Sequence, residues 1–194
     1  MEKFLFEHLN ISASFDIKIS TLNRFAKRKC VIEKERQITK IGSVLLINKI
    51  LNENLQNLKV LKSKVFSFSY AENIFQTISQ LKVSKITYQE MLMFNSKDEQ
   101  LKDKILDIAL VYQQYENYKA GLLDASDAFL MSSFSVADGL KDRQIVFVGF
   151  DDFTAIEYSI IERLAVENNV HIISYYANSS NKQVKLKTYV LQIT

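Results

Sequence analysis

The segment Gln144–Leu164, QIVFVGFDDFTAIEYSIIERL, constrains the fold more than any other stretch of the chain. Ile145–Val148 is an unbroken apolar run that stops at Gly149 and gives way to Phe150-Asp151-Asp152-Phe153. Thr154 and Glu157 then stand in the spacing of a capping box. In that device the threonine hydroxyl accepts from an early backbone N–H, and the glutamate reaches back to the threonine's own N–H. The spacing predicts a helix from Thr154 to about Glu167, followed by a second apolar strand over Val170–Tyr175. Strand, helix, strand is a β-α-β unit, and apolar strands without alternation suit a parallel sheet covered on both faces.

The front of the chain reads as part of the same layer. Asp16–Ser20 alternates polar and β-branched residues, as a short strand does, and Ser20 or Thr21 can cap a helix through Leu22, Phe25 and Ala26. A long helical interval follows. A helix is expected over Ile38–Leu51, with Ile41, Val44, Leu45 and Leu51 on one side and Gly42 marking close packing. Ser69 and Glu72 have capping-box spacing before the stripe Ala71, Ile74, Phe75, Ile78, Leu81, and Thr87 and Glu90 repeat it before Met91, Leu92 and Phe94. The clearest helix is Glu99–Lys119, where Leu101, Ile105, Ile108, Tyr112, Tyr115 and Tyr118 line one face. Asp124 or Ser126 then caps a helix through Phe129, Leu130 and Phe134. An interval this long exceeds a simple crossover. The expected architecture is therefore α/β: a small parallel sheet formed by residues 1–35 and 141–194, with a helical lobe, residues 36–140, inserted between them.

Composition bounds the function. The 194 residues are 47% apolar and 24% charged, enough to bury a sizeable core. No apolar run approaches the roughly 20 residues of a membrane span, and MEKFLFEHLN lacks a signal peptide's apolar core, so a cytoplasmic chain with no membrane partner is expected. One cysteine, Cys30, and two histidines, His8 and His171, argue against a zinc or iron–sulfur site built from this chain. Proline is absent, which fits the codon usage of an AT-rich genome and weakens turn punctuation. Residues 1–64 hold 13 Lys/Arg against 6 Asp/Glu, whereas the remainder holds 12 against 16. A basic front half attracts phosphate backbones, although a solvated helix face has the same composition.

An apolar strand with acids at its carboxyl end is how P-loop ATPases present a magnesium-binding carboxylate. Such a site also needs a glycine-rich loop with a lysine and a Ser/Thr. No GxxxxGK[ST] occurs, and Gly42, Gly121, Gly139 and Gly149 are isolated. Asp151, Asp152 and Glu157 could form a metal site or an acid/base pair, or could simply favour the positive amino end of the next helix. No lysine follows in a nuclease-like spacing, and neither histidine has a nucleophile pattern around it. No catalytic or metal-binding residue is assigned.

Three motifs in order resemble one family. Ile19-Ser-Thr-Leu-Asn-Arg-Phe-Ala-Lys-Arg28 is similar to the V-x-[ST]-F-x-R-L-A-x-R of AddB, the B component of the bacterial AddAB helicase–nuclease, whose close relative is RexB. Leu101–Glu116 resembles the family's K-L-x-D-[IL]-x-x-[IL]-Y-x-x-[YM]-E, and Asp124-Ala-Ser-Asp127 the acidic pair after it. Val146-Phe-Val-Gly-Phe-Asp-Asp-Phe-Thr-Ala-Ile-Glu157 resembles V-x-V-D-G-F-x-x-F-T-P-x-E.

The resemblance implies an amino-terminal helicase-like domain related to UvrD-type motors. It also implies a fragment or truncated product, with the family's P-loop upstream and its iron–sulfur-stapled nuclease domain downstream. ATP/Mg2+ and an iron–sulfur cluster would then belong to the full-length protein. The implied partners are single- or double-stranded DNA ends and an AddA-type subunit in a heterodimer. The implied role is scanning: holding the 3′-ended strand and recognising Chi during recombinational repair of double-strand breaks. Arg24 and Phe150 match the family's DNA-contacting positions, with Thr21, Lys27 and Arg28 as neighbours. A guanidinium suits phosphates and an aromatic ring suits base stacking. Where the family has aspartate before Gly-Phe, this chain has Val148, so the strand end is a degenerate acid motif of Val148, Asp151 and Asp152. Two rival readings stand beside this one. One is an ATP-binding helicase domain completed by an upstream P-loop. The other is a structural module that docks AddA, with Arg24 and Phe150 used in packing.

Overall fold

The structure, a computed structural model, describes residues 17–28, 30, 36–62, 67–173 and 189–193, the last five as backbone only. Asp16, His8 and the predicted strand end Ser174–Tyr175 lie outside the described residues. The chain divides into two compact units, Met1–Val31 with Met131–Thr194, and Ile32–Leu130.

The first unit is built on strands β1 (Ile17–Ser20), β2 (Gln144–Val148), β3 (Asn169–Ile173) and β4 (Tyr189–Ile193). Their order is β1-β4-β2-β3. β2 and β3 run parallel, with Phe147 beside Ile172, as the β-α-β pattern predicts. The sheet as a whole is not parallel. β4, not among the expected elements although Tyr189–Ile193 has the β-branched and aromatic content of a strand, lies antiparallel to both β1 and β2, pairing Leu191 with Ile19 on one side and Val146 on the other. Strands from opposite ends of a chain can be nearest neighbours in a sheet, and hydrophobic periodicity carries no record of that pairing.

Helix α1 (Leu22–Ala26) follows β1 directly and is capped by Thr21, the second of the two predicted candidates. Its Leu22, Phe25 and Ala26 are buried. Between β2 and β3 runs α7 (Ala155–Ala165), with both bonds of the Thr154/Glu157 capping box present. Ile156, Ile160 and Leu164, four residues apart, form its fully buried stripe, and Ile145 and Phe147 of β2 are equally enclosed.

The second unit contains α2 (Lys40–Glu53), α3 (Phe68–Val83), α4 (Tyr88–Leu92) and α5 (Glu99–Lys119), and α6 (Ala125–Ser135) begins within it. Its core joins Val44, Ile47, Ile50 and Leu51 of α2, Ala71, Ile74, Phe75 and Ile78 of α3, and Ile108, Val111, Tyr112 and Tyr115 of α5. The face of α2 differs from the one expected. Ile41 and Leu45 are 64% and 58% exposed, while Ile47 and Ile50 are buried. The helix is apolar nearly all round, so periodicity alone does not select a face. Gly42 sits against its own first turn, where an added Cβ would lie 3.1 Å from Ile38 Cγ1, rather than against a neighbouring helix. The cap of α3 is Ser67, not Ser69, with its hydroxyl accepting from Tyr70 N–H. Glu72 is thereby freed to pair with Lys40. The Thr87/Glu90 box is present as predicted. The long stripe of α5 is buried at its centre, but its ends, Leu101 and Tyr118, are exposed.

Candidate nucleic-acid interface

The sheet's register decides what can meet. Because β4 is antiparallel to both neighbours, β1 and β2 point the same way, and β3 is parallel to β2. Ser20 and Phe147 are both paired with Val190, so the carboxyl ends of β1 and β2 leave the sheet at the same edge and level. One strand separates them, a spacing of about 10 Å. From this edge β1 delivers Thr21 and α1, and β2 delivers Gly149 and the turn Phe150–Phe153. The two motifs that carry the predicted interface are thus neighbours in space, although the whole helical unit separates them in the chain.

On α1, burial of Leu22, Phe25 and Ala26 turns Arg24 outward. Its guanidinium has no side-chain partner among the described residues. Thr21 is exposed, and its hydroxyl accepts from Arg24 N–H at 3.4 Å, so its role in this structure is to cap α1. Lys27 is half-buried at the carboxyl end of the helix. Arg28 is exposed, with its guanidinium 6.0 Å from the centre of the Phe25 ring. Arg24, Lys27 and Arg28 form a basic strip with no acid paired to it among the described residues.

At the end of β2, Val148 is buried. Gly149 follows in the left-handed region at φ 79°, a conformation that a side chain would strain, and its N–H donates to Ile173 O at 2.8 Å. Phe150 is only 5% exposed. It stacks on Phe153 with ring centres 5.0 Å apart and planes 17° from parallel, and Phe147 stands edge-on to both. Asp151 and Asp152 are exposed, and Asp152 Oδ1 accepts from Phe153 N–H at 2.7 Å. Glu157 is occupied by Thr154, accepting from its N–H at 2.8 Å and its hydroxyl at 3.0 Å.

These residues do not fit a magnesium–nucleotide group. An enclosed valine occupies the strand-end position of the acid, and β1 leads into a threonine cap rather than a glycine loop. Glu157 is held by its own helix, and the two aspartates lie beyond the strand in solvent. An iron–sulfur cluster finds one cysteine, Cys30, in the whole sequence. His171 Nε2 lies 2.9 Å from Gln144 Oε1 on the adjacent strand, so the imidazole bridges two strands without a nucleophile.

A second polar cluster lies in the helical unit. Glu116, Asp124 and Asp127 gather within cation-binding distance of one another. Lys82 and Lys119 already supply the charge: Lys82 Nζ is 2.9 Å from Glu116 and 2.7 Å from Asp124, Lys119 Nζ is 2.8 Å from Glu116, and both pair with Asp127. The acidic pair of the Asp124-Ala-Ser-Asp127 motif is therefore a structural anchor. Asp124 also caps α6, Oδ1 accepting from Ser126 and Asp127 N–H, and takes a bond from Tyr115 Oη. Phe153, half-buried and stacked on Phe150, is a residue that sequence reasoning did not single out. Its spacing three residues after Phe150 is visible in the sequence, but its greater exposure is not.

The family described as ADDB, N-terminal, matches residues 1–191. Three curated relatives each carry the name of the B component of an ATP-dependent helicase/deoxyribonuclease. The chain is 27% identical to that of Staphylococcus saprophyticus over 67% of its length, 26% identical to that of Clostridium botulinum strain Loch Maree over 91%, and 29% identical to that of Alkaliphilus metalliredigens over 79%. It spans only 12%, 16% and 14% of those proteins, respectively. With a family match that runs through β1, the helical unit and the β2 turn alike, this chain belongs to the AddB family, in the region that the family describes as amino-terminal.

Proposed function

We propose that this chain is a non-catalytic, helicase-like region that grips single-stranded DNA within an AddB-type subunit of a helicase–nuclease. Its P-loop-like, UvrD-related ancestry would explain an α/β layer with a degenerate acid motif. The complex would process double-strand breaks for recombinational repair with an AddA-type partner, and this region would hold the strand in which Chi is read.

The observation that carries the reading is the shared edge of β1 and β2. It sets the basic strip Arg24, Lys27 and Arg28, which has no paired acid among the described residues, beside the aromatic turn Phe150–Phe153. Cations tracking a phosphate backbone, together with rings for the bases, are the two components of sequence-tolerant single-strand binding. The buried Val148 at the end of β2, where the resembling pattern carries aspartate, supports gripping rather than hydrolysis. Burial of Phe150 and the capping role of Thr21 favour one rival, a scaffold that docks the AddA-type partner.

The test is fluorescence anisotropy of the chain with a labelled single-stranded oligonucleotide at two salt concentrations. Arg24→Ala should weaken binding and lower the salt slope by about 0.7 if one phosphate contact is lost. Parent and Arg24→Ala chains with the same affinity and slope would sink the DNA-contact reading and favour the scaffold.

A further inference from the structure

The three phenylalanines at the end of β2 are not equivalent. Phe147 is fully enclosed, Phe150 is 5% exposed, and Phe153 is half-buried. A base could stack on Phe150 only by expelling it from between its neighbours, and the burial forfeited is comparable to what one stack returns. Phe153 incurs no such loss. Its backbone is fixed on both sides, by the Asp152 bond to its own N–H and by the Thr154/Glu157 capping box that follows. One side of its ring rests against Phe150 at 17° from parallel.

We infer that Phe153 is the ring that stacks on a nucleobase of a bound single strand, and that Phe150 is a positioning residue that holds its plane from beneath. This rests on the strand-gripping reading above. The charges around the ring fix the strand's orientation. Asp151 and Asp152 are exposed in the same turn and repel phosphates, so the strand meets the turn with its bases. Its backbone then runs toward Arg24, Lys27 and Arg28, which follow β1 on the far side of β4 at the same sheet edge.

The chain contains no tryptophan, so Phe153→Trp introduces its single indole. Titrating that chain with an oligothymidylate should quench the indole while anisotropy reports retained binding. Phe153→Leu keeps an apolar side chain but removes the π face. It should weaken binding about 5- to 150-fold on a normal strand. On a strand of abasic sugars, parent and Phe153→Leu should bind alike, a result that general damage to the fold would not give. If Phe153→Leu fails to fold, the indole titration still decides. An unquenched indole despite binding, or parent-like affinity in Phe153→Leu where Arg24→Ala is weakened, overturns the assignment of Phe153 and leaves strand gripping intact. A parent chain that binds no single strand at low salt overturns both.

Discussion

Lys82 and Asp124 form an ion pair inside the helical unit, Nζ to Oδ2 at 2.7 Å, with side chains 8% and 2% exposed. Lys82 comes from the last turn of α3 and Asp124 from the cap of α6, so the pair ties two helices that are distant in sequence. Tyr115 of α5 joins it, donating to Asp124 Oδ2 at 3.1 Å and lying 2.9 Å from Ser43 Oγ of α2.

Removing Lys82 leaves the buried Asp124 with only Lys119, at 3.6 Å, as a cation. A buried charge with no partner left costs about 3–5 kcal/mol, so that figure is the upper bound. Lys82→Met should therefore lower unfolding free energy by up to that amount in urea titrations. The exposed α2 pair Lys49–Glu53, at 3.7 Å, is the control. Lys49→Met should change stability by less than about 0.5 kcal/mol.

Stability should fall at both ends of the pH range. Burial pulls the Lys82 ammonium down, but Asp124 and Asp127 outweigh it and raise the group above the usual lysine range. Burial raises the Tyr112 phenol to about 12. Both groups keep their protons longer folded than unfolded. Their contribution is complete below about pH 10, the ordinary value, and is lost as pH rises through the folded values. Asp124 has the opposite sign: burial pushes its carboxyl up, but Lys82 and backbone donors prevail and hold it low. Its contribution is complete above about pH 4 and is lost as pH falls through the folded value. Urea midpoints across pH should show a plateau with a decline on each side. A midpoint that rises above about pH 10 would contradict the charge assignment.

Asp107 of α5 is 3% exposed and accepts from three consecutive backbone N–H groups, Lys59, Val60 and Leu61, at 2.7–3.0 Å. Asp107→Ala leaves those donors without their acceptor. Each such loss costs about 1–3 kcal/mol. The expected outcome is a large stability loss together with faster amide exchange at residues 59–61, measurable by hydrogen-exchange mass spectrometry.

Placing an acid at the end of β2 should not create an ATPase. Val148→Asp places a carboxyl in an enclosed site and removes a buried apolar side chain, with an expected loss of at least about 2 kcal/mol. No phosphate release from ATP should appear in the variant. Measurable hydrolysis would show that the strand end is a dormant nucleotide site.

The sequence was most legible where a local signal was also the structural cause. The Thr87/Glu90 and Thr154/Glu157 boxes start their helices as spaced, and the β2-α7-β3 unit pairs in parallel. It was least legible where several local choices were equivalent. Ser67 and Ser69 both suit a cap, and the surroundings select Ser67. Ile41, Leu45, Ile47 and Ile50 all suit a core, and the packing of α3 and α5 against α2 selects the last two. At the interface, the exposure of Arg24 follows from the buried trio Leu22, Phe25 and Ala26. The depth of Phe150 relative to Phe153 depends on how one turn folds over Phe147, which no spacing records.

The pairing of Ile17 with Ile193 has a consequence for synthesis. Among the described residues β1 has β4 as its only neighbour in the sheet, so it leaves the ribosome long before that partner exists. At about 5–20 residues per second, translation of the intervening chain takes roughly ten to thirty seconds. During that time the helical unit, rich in local contacts, can fold, while β1 and the inward edge of β2 wait as open strand edges. Closure of this sheet then follows folding of the helical unit, and the emerging chain is most exposed to misassociation just before Tyr189–Ile193 arrives.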